Sequence, residues 1–367
     1  MKVKYCLSIC LAGLLSMYSS VFGQNAETRW VDSVYNSLTL EQRVGQLICM
    51  RANQVDKPYY EDVAKYIKQY NIGGVCFFRY DGEKQVDQAN KWQAMSQTPL
   101  MVSIDAEWGL AMRVKNTIHY PYQMTLGAIT DNNLIYQMGE QVAEQCQRMG
   151  VHVNFAPVVD VNSNPANPII GMRSFGEDPQ KVGEKGVAYA LGMQSKGMIT
   201  TMKHFPGHGS SKADTHKGLA DVTDTWKELE LDPYRTLIAN NLGEDMPFMV
   251  MTTHVFNAQL DSQYPATLSP YTLTTLLRDS LHYTGLIITD DLAMGAMVQE
   301  YEYGEILERT LNAGADLLCL SNNGKDYNAD IVPQTVDLIF QLVKDGKVSA
   351  DRIKASAQRI REQKKRL

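Results

Sequence analysis

The sequence predicts an α/β fold, a closed (β/α)8 TIM-type barrel in a single domain. Three observations lead there. Short apolar runs alternate with amphipathic stretches along the chain. There are eight such runs, enough to close a barrel. Acidic, basic and imidazole side chains gather at the C-terminal ends of these runs, the end at which such barrels carry their active sites.

The runs are 44–51, 73–78, 100–106, 153–161, 199–205, 248–255, 286–291 and 316–321. Each is continuous and rich in Val, Ile, Leu or Met, as strands buried on both faces are. Helical patterns lie between them. Residues 132–149 set Leu134, Met138, Val142 and Cys146 on one face at four-residue spacing. Residues 181–196 and 269–280 are two more helices. Ser269 before Pro270 reads as an N-cap with proline at the first helical position. Alternating strand and helix imply parallel βαβ units. An open doubly wound sheet is the competing arrangement. The stretch from Ala350 to Leu367 reads as a charged amphipathic helix, with its basic cluster, Arg359 to Arg366, on a solvated face.

At 367 residues, with 44% hydrophobic and 21% charged, the chain suits one large soluble domain. The first 23 residues stand apart: Lys2 and Lys4, an apolar run from Cys6, then small residues before Gln24. This pattern reads as a signal peptide. The run is shorter than the roughly 20 apolar residues that span a bilayer. The expectation is an exported protein, periplasmic or secreted, with the barrel domain spanning 37–367 and no later membrane span. Removing residues 1–23 takes away two lysines and no acid, so the net charge moves from −6 to −8. No basic patch remains to suggest nucleic acid. Four cysteines are left, Cys49, Cys76, Cys146 and Cys319, too scattered for a zinc site or a disulfide framework. They read as buried free thiols. The chain stops within a charged helix, which leaves a further C-terminal domain in the natural protein open.

The strand ends carry the chemistry. Asp105 and Glu107 end the third run and Asp160 the fourth; Lys203 and His204 end the fifth, His254 the sixth, and Asp290 and Asp291 the seventh. Burying charges costs several kcal/mol unless they are paired, so their repeated placement at one end suggests a site. Asp291 is expected to be structural and not catalytic, pointing away from Asp290, because neighbouring strand residues face opposite sides. The loop after the fifth run holds three of the seven histidines, His204, His208 and His216. Its glycines and serines predict mobility, with closure over a ligand. Asp214 and His216 are close enough for the carboxylate to hold one imidazole nitrogen, an arrangement suited to moving protons near neutral pH. His204, His208, Asp214 and His216 also have metal-ligand chemistry. Lys203 is a poor neighbour for a cation, so neither metal nor cofactor is expected.

Four segments resemble glycoside hydrolase family 3, in its β-N-acetylglucosaminidase branch. They are Ser103-Ile104-Asp105, Arg173-Ser174-Phe175-Gly176, Lys203-His204-Phe205-Pro206-Gly207-His208-Gly209 and Ile288-Thr289-Asp290-Asp291-Leu292-Ala293-Met294. The resemblance implies a retaining exo-β-N-acetylglucosaminidase with a covalent glycosyl-aspartate intermediate. Its partner would be a carbohydrate with terminal β-linked GlcNAc, in peptidoglycan fragments or other glycans. It places the nucleophile on Asp290 and the acid/base on His216 with Asp214. Sugar binding falls on Asp105, Arg113, Arg173, Lys203 and His204. The positive charges of Lys203, Arg113 and Arg173 are expected to help keep Asp290 ionised. Related β-glucosidases carry an acid/base glutamate in a second domain; the loop dyad here implies no such need. Trp108 stands where the branch usually has glycine, which leaves substrate preference at that loop open. A family 3 β-glucosidase, a β-N-acetylglucosaminide phosphorylase and a non-catalytic sugar-binding barrel are the alternatives.

Overall fold

The computed structural model describes residues 33–52, 57–78, 81–240, 248–321, 328–365 and 367. The expected signal peptide lies outside them. Eight parallel strands form a closed barrel in chain order. They are β1 (Ile48–Ala52), β2 (Gly74–Phe77), β3 (Met101–Ile104), β4 (Val153–Asn154), β5 (Ile199–Phe205), β6 (Phe248–Thr252), β7 (Leu286–Asp291) and β8 (Leu317–Leu320). β8 pairs back onto β1 with Ile48 opposite Leu318, which decides against an open sheet. A helix follows each strand: Lys57–Tyr70, Gly82–Met95, Asn132–Arg148, Pro179–Gln194, Asp232–Ala239, Tyr271–Ser280, Tyr303–Ala313 and Ile331–Lys344.

Two runs differ from their sequence reading. The run at 44–51 begins as a short helix, Leu40–Gly45, because Thr39 and Gln42 form a capping box. β1 starts only at Ile48. The run at 153–161 shrinks to Val153–Asn154. Pro157 has no N–H to give a ladder, and beyond β4 Val158 makes an isolated bridge to Lys203.

The helix Asn132–Arg148 buries Ile135, Met138, Val142 and Cys146, while Leu134 is 51% exposed. A row at strict four-residue spacing drifts off the core face of a helix with 3.6 residues per turn. Ser269 Oγ accepts the Thr272 N–H at 3.0 Å, the cap the sequence suggests. Cys49, Cys76 and Cys146 are buried free thiols, and Cys319 is half-buried and free. Among the described residues no helix is long and apolar enough to cross a membrane.

The last helix, Ala350–Lys364, corrects the expected solvated basic face. It docks at the N-terminal end of the barrel. Asp316, just before β8, is wholly buried and accepts from Arg278 (2.7 Å), Arg352 (3.0 Å), Arg359 (2.9 Å) and Ser356 (2.8 Å). Lys364 Nζ donates to Gln46 Oε1 at 2.8 Å, next to β1. Arg361 and Lys364 are only 1% and 2% exposed. Asp316 draws Arg352 and Arg359 inward, whereas Lys364 is buried against an amide oxygen and not a carboxylate.

Candidate active site

A cavity of about 310 Å³ opens at the C-terminal end of the barrel. One wall comes from the end of β3. Asp105 accepts from Arg113 Nη2 at 2.8 Å and from Lys203 Nζ at 2.8 Å. Lys203 also sits 2.8 Å from Glu107. Arg173 donates to both Glu107 oxygens, at 2.9 and 2.8 Å, a bidentate pair. Burial alone would raise the Glu107 carboxyl, but Arg173 and Lys203 hold it well below the usual carboxylate range. Asp105 is held low in the same way, against burial, by Lys203 and Arg113. Burial would lower Lys203, yet Asp105 and Glu107 keep its ammonium above its ordinary value.

β5 sends two successive side chains into this cavity, Lys203 and His204. Its pairing with β6 shifts register between Lys203 and Phe205, and such an irregularity re-aims side chains. His204 Nδ1 lies 2.6 Å from Asp160 Oδ2, and Arg173 Nη2 is 3.3 Å from its Nε2. Asp160 is wholly buried and also accepts the His204 and His208 amides, at 3.2 and 2.8 Å. Both His204 nitrogens therefore already have neighbours. Among the described residues no group of three His, Cys, Asp or Glu side chains is placed to hold a metal ion.

The end of β7 brings Asp290 to the cavity wall. Its Oδ1 accepts the Asp291 amide at 2.8 Å. Burial alone would raise this carboxyl; the imidazoles of His254 and His204 and the Asp291 amide hold it below its ordinary value. This corrects the expectation that lysine and arginine keep it ionised: those cations are taken by Asp105 and Glu107. His254 is itself buried, with Nδ1 at 2.8 Å from Thr267 Oγ1 and Nε2 at 3.0 Å from the Asp291 carbonyl. Asp291 also reaches the cavity, against expectation, since β7 and β8 slip register between Leu317 and Cys319. Its carboxylate is occupied, accepting from the Ser321 amide (2.9 Å), the Ser321 hydroxyl and the Ala293 amide (3.1 Å). Burial pushes it up.

His216 lines the same cavity as Asp290. Asp214 stands behind it, with Oδ1 2.8 Å from His216 Nδ1 and accepting the His216 amide at 2.9 Å. Against burial, that amide and the His216 ring hold Asp214 below its usual value. The loop is docked where it passes the end of β7. The Thr215 and His216 carbonyls accept the Ala296 and Gly295 amides at 3.1 and 3.3 Å, just after β7. Ser210, Ser211 and Thr215 are buried. The loop's glycines serve close packing, since a Cβ at Gly209 would meet the Val161 carbonyl.

The cavity thus joins Asp105, Arg113, Arg173, Lys203, His204, His216 and Asp290, with Asp214 backing the imidazole. A carboxylate, a carboxylate-held imidazole and a ring of paired charges can together handle a polyhydroxylated ligand. The model of the glycosyl hydrolase family 3 N-terminal domain matches residues 39–362. The chain belongs to glycosyl hydrolase family 3. A beta-hexosaminidase A of Pseudoalteromonas piscicida is 30% identical over 335 residues, 83% of this chain and 55% of that protein. A beta-hexosaminidase of Nitrosomonas eutropha is 33% identical over 268 residues, 69% of this chain and 74% of that one. The chain therefore spans little more than half the length of the first relative. The solved family 3 β-N-acetylglucosaminidase of Paenibacillus sp. str. FPU-7 superposes with a TM-score of 0.81 at 33% identity, over 90% of this chain and 63% of that one.

Within this family 3 barrel, sequence reasoning noticed Glu107 and Asp160 at strand ends but gave them no place in the site. It missed Arg51 and Phe78 in the cavity wall. The Arg51 and Arg113 guanidinium carbons lie over the Phe78 ring, at 4.4 and 3.9 Å from its centre. No local pattern marks these contacts, which join the ends of successive strands across an intervening helix. Trp108, the departure from the family pattern, packs edge-on against Tyr122 at 4.6 Å between ring centres.

Proposed function

We propose that this chain is a retaining exo-β-N-acetylglucosaminidase that removes terminal β-linked GlcNAc from peptidoglycan fragments or other glycans. One observation carries the reading: Asp290 and the Asp214-backed His216 open onto a single cavity. Asp290 is ionised at neutral pH and attacks the anomeric carbon. His216 protonates the departing oxygen, then takes the proton of the incoming water. Asp214 holds the imidazole tautomer and stabilises the imidazolium as it forms. Asp105, Arg113, Lys203, Arg173 and His204 bind the sugar hydroxyls through charge-assisted hydrogen bonds. The beta-hexosaminidase and β-N-acetylglucosaminidase relatives support GlcNAc as the sugar. The signal-like start of the chain supports export, to be checked by fractionating cells that express the full chain.

The test is release of p-nitrophenol from its β-GlcNAc glycoside. Asp290→Ala and His216→Ala should each lose about 100-fold or more in kcat and still melt cooperatively. Full activity in either variant overturns the assignment. Phosphorolysis is a second reading, favoured by an exposed imidazole in place of a carboxylate acid/base, which puts less negative charge in the way of a phosphate. It would yield GlcNAc-1-phosphate only when inorganic phosphate is added.

A further inference from the structure

Glu230 lies outside the cavity and belongs to the short helix Glu228–Leu231 behind the β5 loop. It is 1% exposed. Its carboxyl packs directly under Gly207, where a Cβ would meet Oε2 at 2.6 Å. Gly207 has φ +123, so a side chain is excluded there by backbone conformation as well as by Glu230. The Ser163 hydroxyl donates to its Oε1 at 3.5 Å, and the Ser210 and Gly209 amides face the carboxyl without closing a hydrogen bond on the buried Oε2. Burial, reinforced by the neighbouring Asp160 carboxylate, pushes it up to about 7. A buried carboxyl with no contact to the cavity has no place in the chemistry described so far.

Its position suggests a place. Asp160 takes the amide of His208, and Glu230 faces the next two amides. Asp160 thus holds the amide of His208, while the Glu230 side chain packs beneath Gly207, the residue before it. From this backbone the His208 ring reaches forward, with Nε2 3.2 Å from Thr215 Oγ1. Thr215 precedes His216 and is docked on Ala296 through its carbonyl. We propose that Glu230 is a positioning residue for the acid/base loop: packed beneath Gly207, it fixes the backbone where Gly207 leads into His208, and His208 passes that placement to Thr215 and so to His216. The inference rests on the reading of His216 as acid/base.

The experiment compares Glu230→Ala and Glu230→Gln with wild type, using two substrates and one measurement of the loop. A 2,4-dinitrophenyl β-GlcNAc glycoside leaves without protonation; chitobiose needs a proton donor. Glu230→Ala should lose about 10- to 100-fold in kcat/KM on chitobiose, the scale of a displaced proton donor. On the dinitrophenyl glycoside kcat/KM should change by less than about twofold, because the departing phenolate needs no general acid. Azide should restore turnover of that glycoside by accepting the glycosyl group in place of base-activated water. Glu230→Gln, which keeps volume and shape, should stay near wild type. Amide exchange in peptides covering 206–218 should accelerate in the alanine variant alone. Equal loss on both substrates, or unchanged loop exchange, overturns the proposal. If Glu230→Ala does not fold, Glu230→Asp, which withdraws the carboxyl by one methylene, undergoes the same comparison. If wild type cleaves neither glycoside while the loop loosens in the variant, the assigned function fails and the anchoring stands.

Discussion

Glu107 is 1% exposed, yet two cations converge on it, Arg173 through both oxygens and Lys203 through one. Removing one member of a buried charge network leaves the others uncompensated, at about 3–5 kcal/mol. Glu107→Gln should lose stability of that order in denaturant unfolding at neutral pH. The pH dependence has a definite sign. The folded carboxyl is held below its ordinary value of 4.5, so its contribution is present above that pH and lost as pH falls. Wild type should therefore weaken faster than Glu107→Gln below about pH 4.5; parallel acid limbs would contradict the pairing. The residue scale also marks what a sequence can tell. Asp290, His216 and Asp214 were legible because a motif and a two-residue spacing announce them. Glu107 and Asp160 were visible only as charges at strand ends. Their partners, Arg173 and His204, sit 66 and 44 positions away, and only barrel closure brings them together.

The elements were read unevenly, and the misses have local causes. β5 and β7 fall where apolar runs end in charge, at 199–205 and 286–291, and nothing local competes there. At 44–51 a capping box started a helix in what reads as strand, and at 153–161 a proline cut the ladder short. The last helix was found, but its basic face was misassigned, because the charge that draws it inward lies on other elements. Lys364 shows the consequence. Burial lowers its ammonium from 10.5 to about 7, while its Nζ donates to Gln46. Between those values the unfolded chain binds more protons at this site than the folded one. Stability should therefore rise with pH from about 7 to about 10.5, by up to about 1.4 kcal/mol per unit. Lys364→Met removes that slope. Denaturant titrations at pH 7 and pH 10 measure it, and an unchanged slope in the variant would mean that Lys364 is solvated in the folded state.

On the scale of the molecule, the two barrel ends do different work. The C-terminal end gathers groups whose charges are balanced around an open cavity. The N-terminal end spends its charges on closure. Asp316 ties the helix after β6, through Arg278, to the last helix, through Arg352, Arg359 and Ser356. It also accepts the Ile287 amide at 3.1 Å, so one carboxylate joins β7, the start of β8 and two helices. The βα rhythm announced a barrel in the sequence, but this knot could not be read there, since its arginines are spread over 278–359. Against burial, Arg278, Arg352 and Arg359 hold Asp316 below its ordinary value, so the charge is present at neutral pH. Asp316→Asn keeps the shape and leaves three guanidiniums facing a neutral amide. The expected cost is about 3–5 kcal/mol, that of breaking a buried ion pair. Because the site lies at the other end, kcat on a β-GlcNAc glycoside should remain within about twofold at temperatures where the variant is folded, as expected of sites that share no partners. A large stability loss with intact turnover would separate the two ends as independent working parts. A matching fall in kcat would mean that the knot also sets the geometry of β7 and, through it, Asp290.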